Sequence, residues 1–302
     1  VCSSDLSSGG IGGADNITAN GLSWSGGLIS GTGTLTLNGA TTISGQVDAQ
    51  RVVANNGTVD VTGGGRLNLS NGAVFTNQAG ALFSLGASST DTLPLAGTAG
   101  VGTFNNAGTF TKATSTTQTV NSSITFNNSG QVTLNGATGL FALNGAGSDT
   151  GDYTVNAGAT LDLGAIRTWG ATTDVNGAGV VNFVSGTTNV NGTYSIAGTG
   201  TTGIGGVVVF NTGGAVVFTN PVSMVSGSLG GSDNVTTNGF FWSGGTVAGS
   251  GTLTLNGTTT ISGQVDAQRA VANSGTVDVT GGGRLNLSNG ADRKSTRLNS
   301  SH

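Results

Sequence analysis

The residues best equipped for chemistry in this chain are few and widely spaced. Asp162 and Asp174 flank Arg167, and two carboxylates with a guanidinium in reach are what acid–base cleavage of a polysaccharide would need. The string GSDTGDYT at 147–154 sets Asp149, Thr150 and Asp152 near a turn, offering the hard oxygen donors that Ca2+ prefers. Trp24 and Trp242 each sit in a WSGG string and Trp169 in RTWGA; an exposed row of such rings could stack on sugars. The pairs Thr34/Thr36, Thr109/Thr111 and Thr252/Thr254 place hydroxyls on one side of an extended chain, the arrangement an ice-binding face would use.

Each of these has a plainer competitor. Asp162 and Asp174 are separated by about half of the repeat described below, so they should not stack. A calcium-binding nonapeptide array would repeat G-G-x-G-x-D, and GGGRLNLSN has Leu and Asn where Asp is required. Large aromatics are mostly buried, so the three Trp are expected to plug the core. Thr is also a good polar strand former, and the irregular spacing of the repeats counts against a flat array. Asp60 with Arg66, and Asp278 with Arg284, are expected to be exposed ion pairs worth under about 1 kcal/mol. The chain has no Glu, Cys2 and His302 are single of their kinds, and Lys112 is the only Lys between 7 and 291. That composition leaves no thiol chemistry, His-based triad or usual zinc set in this stretch. No catalytic, cofactor-binding or metal-ligating residue is assigned, and no cofactor is expected.

The elements that must carry these residues announce themselves through repetition. Residues 8–73 and 226–291 align without a gap at an offset of 218, with 52 of 66 positions identical, including SGQVDAQR at 44–51 and 262–269. Residues 74–225 complete one module of the duplication. Within it a shorter rhythm pairs Asn with Gly ahead of an alternating apolar run, as in TFNNAGTFTK, TFNNSGQVTL and TVNAGATLDL, with leading Asn at 20, 38, 55, 77, 105, 127, 156, 176, 191 and 211. Ten steps in one module give about 22 residues per coil, the range of solenoids. Alternation with period two predicts strands of about 4–5 residues, two or three per coil, turned by Asn and Gly. The residues predicted to point inward are Leu35, Leu37, Val59, Val61, Leu67, Leu69, Val132, Leu134, Leu161 and Leu163. One coil cannot bury them alone, whereas stacked coils pair every backbone group and share one narrow core. The expected fold is therefore all-β, a right-handed parallel β-helix spanning 7–291. Asn recurring at one corner could form an internal amide ladder, although Asn as a simple turn residue is the better-supported expectation.

Composition narrows the partners. Charged residues are 7% of the chain and the net charge is −4, so no basic patch is available for nucleic acid. The longest apolar run, VVVF at 207–210, is far short of the roughly 20 residues of a membrane-spanning helix. The 57 Gly lack a G-X-Y phase, which excludes collagen. Both ends break the repeat: VCSSDL at 1–6 and DRKSTRLNSSH at 292–302 read as translated sequencing adapter on opposite strands, since GAT-CGG-AAG-AGC-ACA-C encodes DRKST and its reverse complement encodes VCSSD. Both are expected to be irregular scars outside the solenoid, leaving an internal piece of a longer reading frame whose uncapped coils self-associate end to end.

GTGTLTLNGATTISG at 31–45 and GSGTLTLNGTTTISG at 249–263 resemble the autotransporter-associated β-strand repeat, and WSGG at 24–27 and 242–245 is similar to a motif of very long bacterial β-strand repeat proteins. The specific likeness is confined to those strings and departs from the pattern at QVDAQR. It implies a β-solenoid segment of a secreted or surface-attached bacterial protein. The expected function is accordingly structural and adhesive, without catalysis, with glycans or other surface molecules as partners. The alternatives are a polysaccharide-cleaving parallel β-helix using Asp carboxylates, and an ice- or calcium-binding solenoid.

Overall fold

A computed structural model describes residues 4–136, 139–288 and 293–295. The chain forms an all-β parallel β-solenoid of about 14 turns, consistent with the right-handed parallel β-helix read from the repeat. It comprises two compact units, 1–161 and 162–302.

A turn of the first unit shows how the sequence builds the coil. Strands Val53–Asn55, Thr58–Val61 and Arg66–Leu69 define three faces, called first, second and third below. The next turn repeats them as Val74–Asn77, Leu82–Leu85 and Leu95–Ala96. Every pairing is parallel, with Phe75 over Val53, Phe83 over Val59 and Leu95 over Leu67. Alternate residues therefore enter one shared core while the backbone bonds to the turns on either side. All ten residues predicted to point inward are buried.

The second unit is built the same way. Thr246–Val247, Leu253–Leu255 and Thr258–Ile261 are followed by Gln264–Ala267, Val271–Asn273 and Thr276–Val279, again in parallel register. Copies of the duplicated segment adopt the same strands, for instance Thr58–Val61 and Thr276–Val279, or Arg66–Leu69 and Arg284–Leu287.

Coil length is not constant. On the first face Leu35 pairs with Val53, Phe75 with Phe104, and Phe104 with Phe126, which makes the first of these turns short, the second long and the third intermediate. The extra residues sit in corners, such as 86–94, and leave the faces in register. The repeat read from sequence is thus an average over unequal turns.

Aromatic rings fill the middle of the first unit. Phe75, Phe104 and Phe126 stack at 5.1 and 5.3 Å, and Phe83 stacks on Phe110 at 5.5 Å, the two columns meeting edge-on. Stacks of this kind add to simple burial by about 0.5–1.5 kcal/mol per pair. In the second unit Trp169, Phe183, Tyr194, Phe210 and Phe218 make a less regular cluster.

The corner after the first face carries an amide ladder. Asn55 Nδ2 donates to Asn77 Oδ1, Asn77 to Asn106 and Asn106 to Asn128, each at 2.8 Å, and all four are buried. Asn55, Asn77 and Asn106 also donate to backbone carbonyls of the following strands. This corrects the expectation of Asn as a mere turn residue at this corner. It also corrects the rungs: Asn105 and Asn127, the leading Asn of the motif, face outward, and their neighbours Asn106 and Asn128 enter the ladder. A buried amide has both donor and acceptor, so each rung satisfies the next.

The ends depart from expectation. Ser4–Leu6 is a strand paired with Leu22–Trp24, and Arg293–Ser295 is a strand along Val271–Asn273, where the broken repeat predicts irregular chain. The open edge of a parallel coil accepts a backbone of almost any sequence, because it bonds peptide groups and not side chains. Residues 1–3, 292 and 296–302 of the predicted scars lie outside the described residues. Among the described residues no helix is long and apolar enough to cross a membrane.

Candidate functional site

The residues with the strongest chemistry turn out to hold the coil together. Arg51, the last residue of SGQVDAQR, is buried and donates to the backbone carbonyls of Gly33, Ser30 and Asp15. Its counterpart Arg269 makes the same three bonds to Gly251, Ala248 and Asp233. One planar guanidinium thus ties together carbonyls from two earlier turns, a fork that Lys could not reproduce. Burial pulls the Arg269 guanidinium below its ordinary value, and the nearby Asp233 opposes this. A Cβ at Gly33 or Gly251 would overlap the guanidinium, so Gly is required there by the close approach. Gln50 and Gln268 complete the motif by donating to Asp48 and Asp266 at 2.9 and 2.8 Å.

Lys112 is also fully buried, at the end of strand Thr109–Lys112. Its Nζ donates to the carbonyls of Thr114 at 2.7 Å and Gly139 at 3.0 Å. Beside it Thr114 donates to the Ser89 carbonyl, and Gln118 donates to Ser89 Oγ and the Asp91 carbonyl. Removal from water lowers the Lys112 pKa to about 8. Across the same corner Arg66 grips Asp91 through two bonds at 2.8 and 3.1 Å. The pairing of Arg66 with Asp60 expected from sequence is therefore incorrect: both residues lie within one coil, and the acid reaching Arg66 comes from the next one. In the second copy Arg284 donates to Gln264, not to Asp278.

The proposed carboxylate constellation does not assemble. Asp162 accepts from Asn182 Nδ2 at 2.7 Å; burial raises its pKa, and the Asn182 bond works against the rise. Asn182 belongs to strand Val180–Phe183, paired with Thr201–Ile204. Asp174 accepts from Thr193 on a different face, where Asp174–Gly177 pairs with Thr193–Ile196. Arg167 is fully buried in the interior. The three side chains have no common side from which to act on one sugar.

The calcium and tryptophan readings resolve in the same direction. Asp149 is buried and accepts from the backbone N–H of Asn128, where it takes the next position after the amide ladder, and Asp152 is half-buried. No cluster of three or more metal-ligating side chains exists among the described residues. Trp24, Trp169 and Trp242 are fully buried, in line with the plainer expectation.

What remains on the outside is an ordered polar surface. On the second face of the first unit, Thr42, Asp60, Ser84, Thr111, Thr133 and Thr154 occupy successive rungs of one row, about 4.8 Å apart. The neighbouring row runs Thr58, Leu82, Thr109, Gln131 and Asp152. Gln131 Nε2 crosses between rows to Thr154 Oγ1 at 3.2 Å. Irregular repeat spacing argues against such alignment only if it reaches the faces, and here it is confined to corners. Thr36 belongs to another face, over Ala54, so the Thr pairs do not combine into one plane. Sequence reasoning missed Arg51, Arg269 and the burial of Lys112. The available signal was Gly33 and Gly251, which precede their Arg by the same interval, one short turn, in both copies.

No protein-family description, curated protein or solved structure matches this chain.

Proposed function

We propose that this chain is a structural and adhesive repeat segment of a secreted or surface-attached bacterial protein. In this reading it is a non-catalytic stalk whose outward rows meet glycans or other surface molecules. The observation that carries the reading is the register-aligned row Ser84, Thr111, Thr133 and Thr154, with Thr109, Gln131 and Asp152 beside it. A repeating array of hydroxyl, amide and carboxylate groups suits a polyhydroxyl partner that is itself periodic, because each rung can repeat the same hydrogen bonds. The cell-surface setting rests on the likeness of GTGTLTLNGATTISG to autotransporter-associated repeats. The buried Trp residues contribute no stacking platform, so recognition is assigned to the polar rows alone.

The test is retention of the protein on a panel of immobilised polysaccharides, with Thr111→Val/Thr133→Val as the paired variant. Val keeps the strand shape and removes two hydroxyls. We expect saturable binding to at least one polysaccharide and binding at least about fivefold weaker in the variant, in line with two lost hydrogen bonds. Equal retention of both proteins would remove the row from the reading, and release of new reducing ends from the polysaccharide would replace adhesion with catalysis.

A further inference from the structure

Every tryptophan and tyrosine of the chain is buried, and so is every phenylalanine but one. Phe241 is 55% exposed, in the middle of strand Phe240–Trp242, with Phe240 and Trp242 turned inward on either side. The coil does not require a ring there, and the duplication supplies the control. The equivalent residue of the first copy is Ser23. It faces outward in strand Ile17–Trp24 and pairs with Thr42, as Phe241 pairs with Thr260. An apolar ring left in water contributes no burial to the fold.

The neighbours of Phe241 make a platform around it. Asn182, Gly203, Ser223, Phe241, Thr260 and Asp278 follow one another, rung by rung, along one outward row. Pro221 and Val225 stand two residues on either side of Ser223, diagonal to Phe241, and both are exposed. Diagonal neighbours about 7–8 Å apart are within reach of an aromatic side chain. Pro221 is seated against the next coil, where a Cβ at Gly239 would meet its Cγ at 3.3 Å. Thr258 and Thr260 lie on the other side of the ring. Among the described residues the hydroxyls of Ser223, Thr258 and Thr260 have no hydrogen-bond partner. No charged side chain stands on either adjacent rung of this face. Contiguous apolar side chains rimmed by polar groups mark an interaction site, where a lone exposed one would not.

We propose that Phe241, with Pro221, Val225, Ser223 and Thr260, is a stacking site for a neutral pyranose ring in a glycan chain lying along the coil axis. A pyranose has an apolar C–H face and a rim of hydroxyls. The face matches the exposed ring. The rim reaches Ser223 and Thr260 on the rungs before and after it, about 4.8 Å away on each side. Pro221 and Val225 wall the sugar on the side of the preceding coil. The lack of a cation selects a neutral sugar over an acidic one, whose carboxylate an Arg or Lys would hold. Area argues against a protein partner: these few apolar side chains fall far short of the roughly 800 Å2 per partner of a stable protein interface. The class of partner rests on the adhesive reading, but the residues, the unit and the kind of contact are separate from the hydroxyl row of the first unit.

The experiment titrates the full chain with β-1,4-linked hexamers of glucose and of N-acetylglucosamine, following the sugar C–H protons by NMR. Protons stacked over an aromatic ring shift upfield, a signature that hydrogen bonding to the hydroxyl row does not produce. We expect saturable binding of at least one hexamer with that shift. Phe241→Ser should weaken binding at least about fivefold and abolish the shift, whereas Phe241→Tyr should stay within about twofold of the unaltered chain. Ser is the residue of the first copy at this position, and circular dichroism checks the fold. Phe241→Leu, which keeps apolar bulk without a ring, replaces it if the coil unfolds. No binding of either hexamer, binding without the upfield shift, or equal binding by Phe241→Ser would overturn the proposal. Thr111→Val/Thr133→Val should leave the titration unchanged. Binding lost in that variant but kept in Phe241→Ser would assign recognition to the row and overturn the platform. Failure of the row on the polysaccharide panel, with the shift intact, would remove the row and support the platform.

Discussion

At the scale of single residues, the ionic and amide side chains of this protein act mainly on its own backbone. Arg51 and Arg269 each bind three carbonyls, Lys112 binds two, and Asn55, Asn77, Asn106 and Asn128 bind one another and the strands beside them. Such groups are costly to bury unless they are fully bonded, and a narrow solenoid has little apolar width in which to hide a mismatch. Lys112 gives this a measurable consequence. Its folded pKa of about 8 lies below the ordinary lysine value of 10.5. Between those two values the unfolded chain binds more protons than the folded one, so stability should rise with pH across that window. Below pH 8 both states carry the proton and the penalty is constant. We expect urea denaturation between pH 7 and 10 to show a stability gain in the unaltered chain relative to Lys112→Met. A difference that stays flat with pH would mean the amine is solvated.

At the scale of elements, faces and corners obey different rules. A face is held by register: shifting a strand by one residue turns its inward side chains to solvent. A corner has only to reconnect two faces, and its closure cost grows slowly with length. This is why short, intermediate and long turns coexist in one column and why Thr111, Thr133 and Thr154 align in spite of them. Two insertions separate these rules. A Gly-Gly pair added between Gly213 and Gly214, where a Cβ would meet nothing closer than 3.9 Å, should cost less than about 1 kcal/mol. A single Ala added between Asp60 and Val61 should abolish cooperative unfolding of that region. Hydrogen exchange of strands Val207–Phe210 and Val216–Phe218 reads the first result and that of Thr58–Val61 and Leu82–Leu85 the second, and equal effects would contradict the division.

At the scale of the whole molecule, a stack of coils shares one narrow core that no coil can cover alone, so the stability of each coil depends on its neighbours. The duplicated segment allows a direct comparison at matched sequence. Leu67 is fully buried between Val47 and Leu95 of the coils on either side, whereas Leu285 lies over Val265 and is half-exposed. Leu67→Ala should cost about 2–4 kcal/mol. Leu285→Ala should cost less than half of that, with its effect confined to strand Arg284–Leu287 and its neighbour Gln264–Ala267. Denaturation monitored by hydrogen exchange distinguishes the two, and equal costs would show that burial does not set the difference.

The amino-acid sequence by itself determined the strands, their inward residues and the stacking of coils. Alternation and turn residues act locally, and apolar side chains have only one way out of water in such short strands. Leu35, Val59 and Leu161 could be placed in the core without coordinates for that reason. Tertiary structure alone decided which residues meet across turns. The partner of Arg66 is Asp91 and not Asp60, the ladder passes through Asn106 and not Asn105, and Arg51 reaches back to Asp15. Each of these contacts joins residues at least a full turn apart in sequence, and the lengths of the intervening corners set which ones coincide. Corner length leaves almost no mark on the alternation of a strand, so the pattern that reveals the fold is silent about its cross-links.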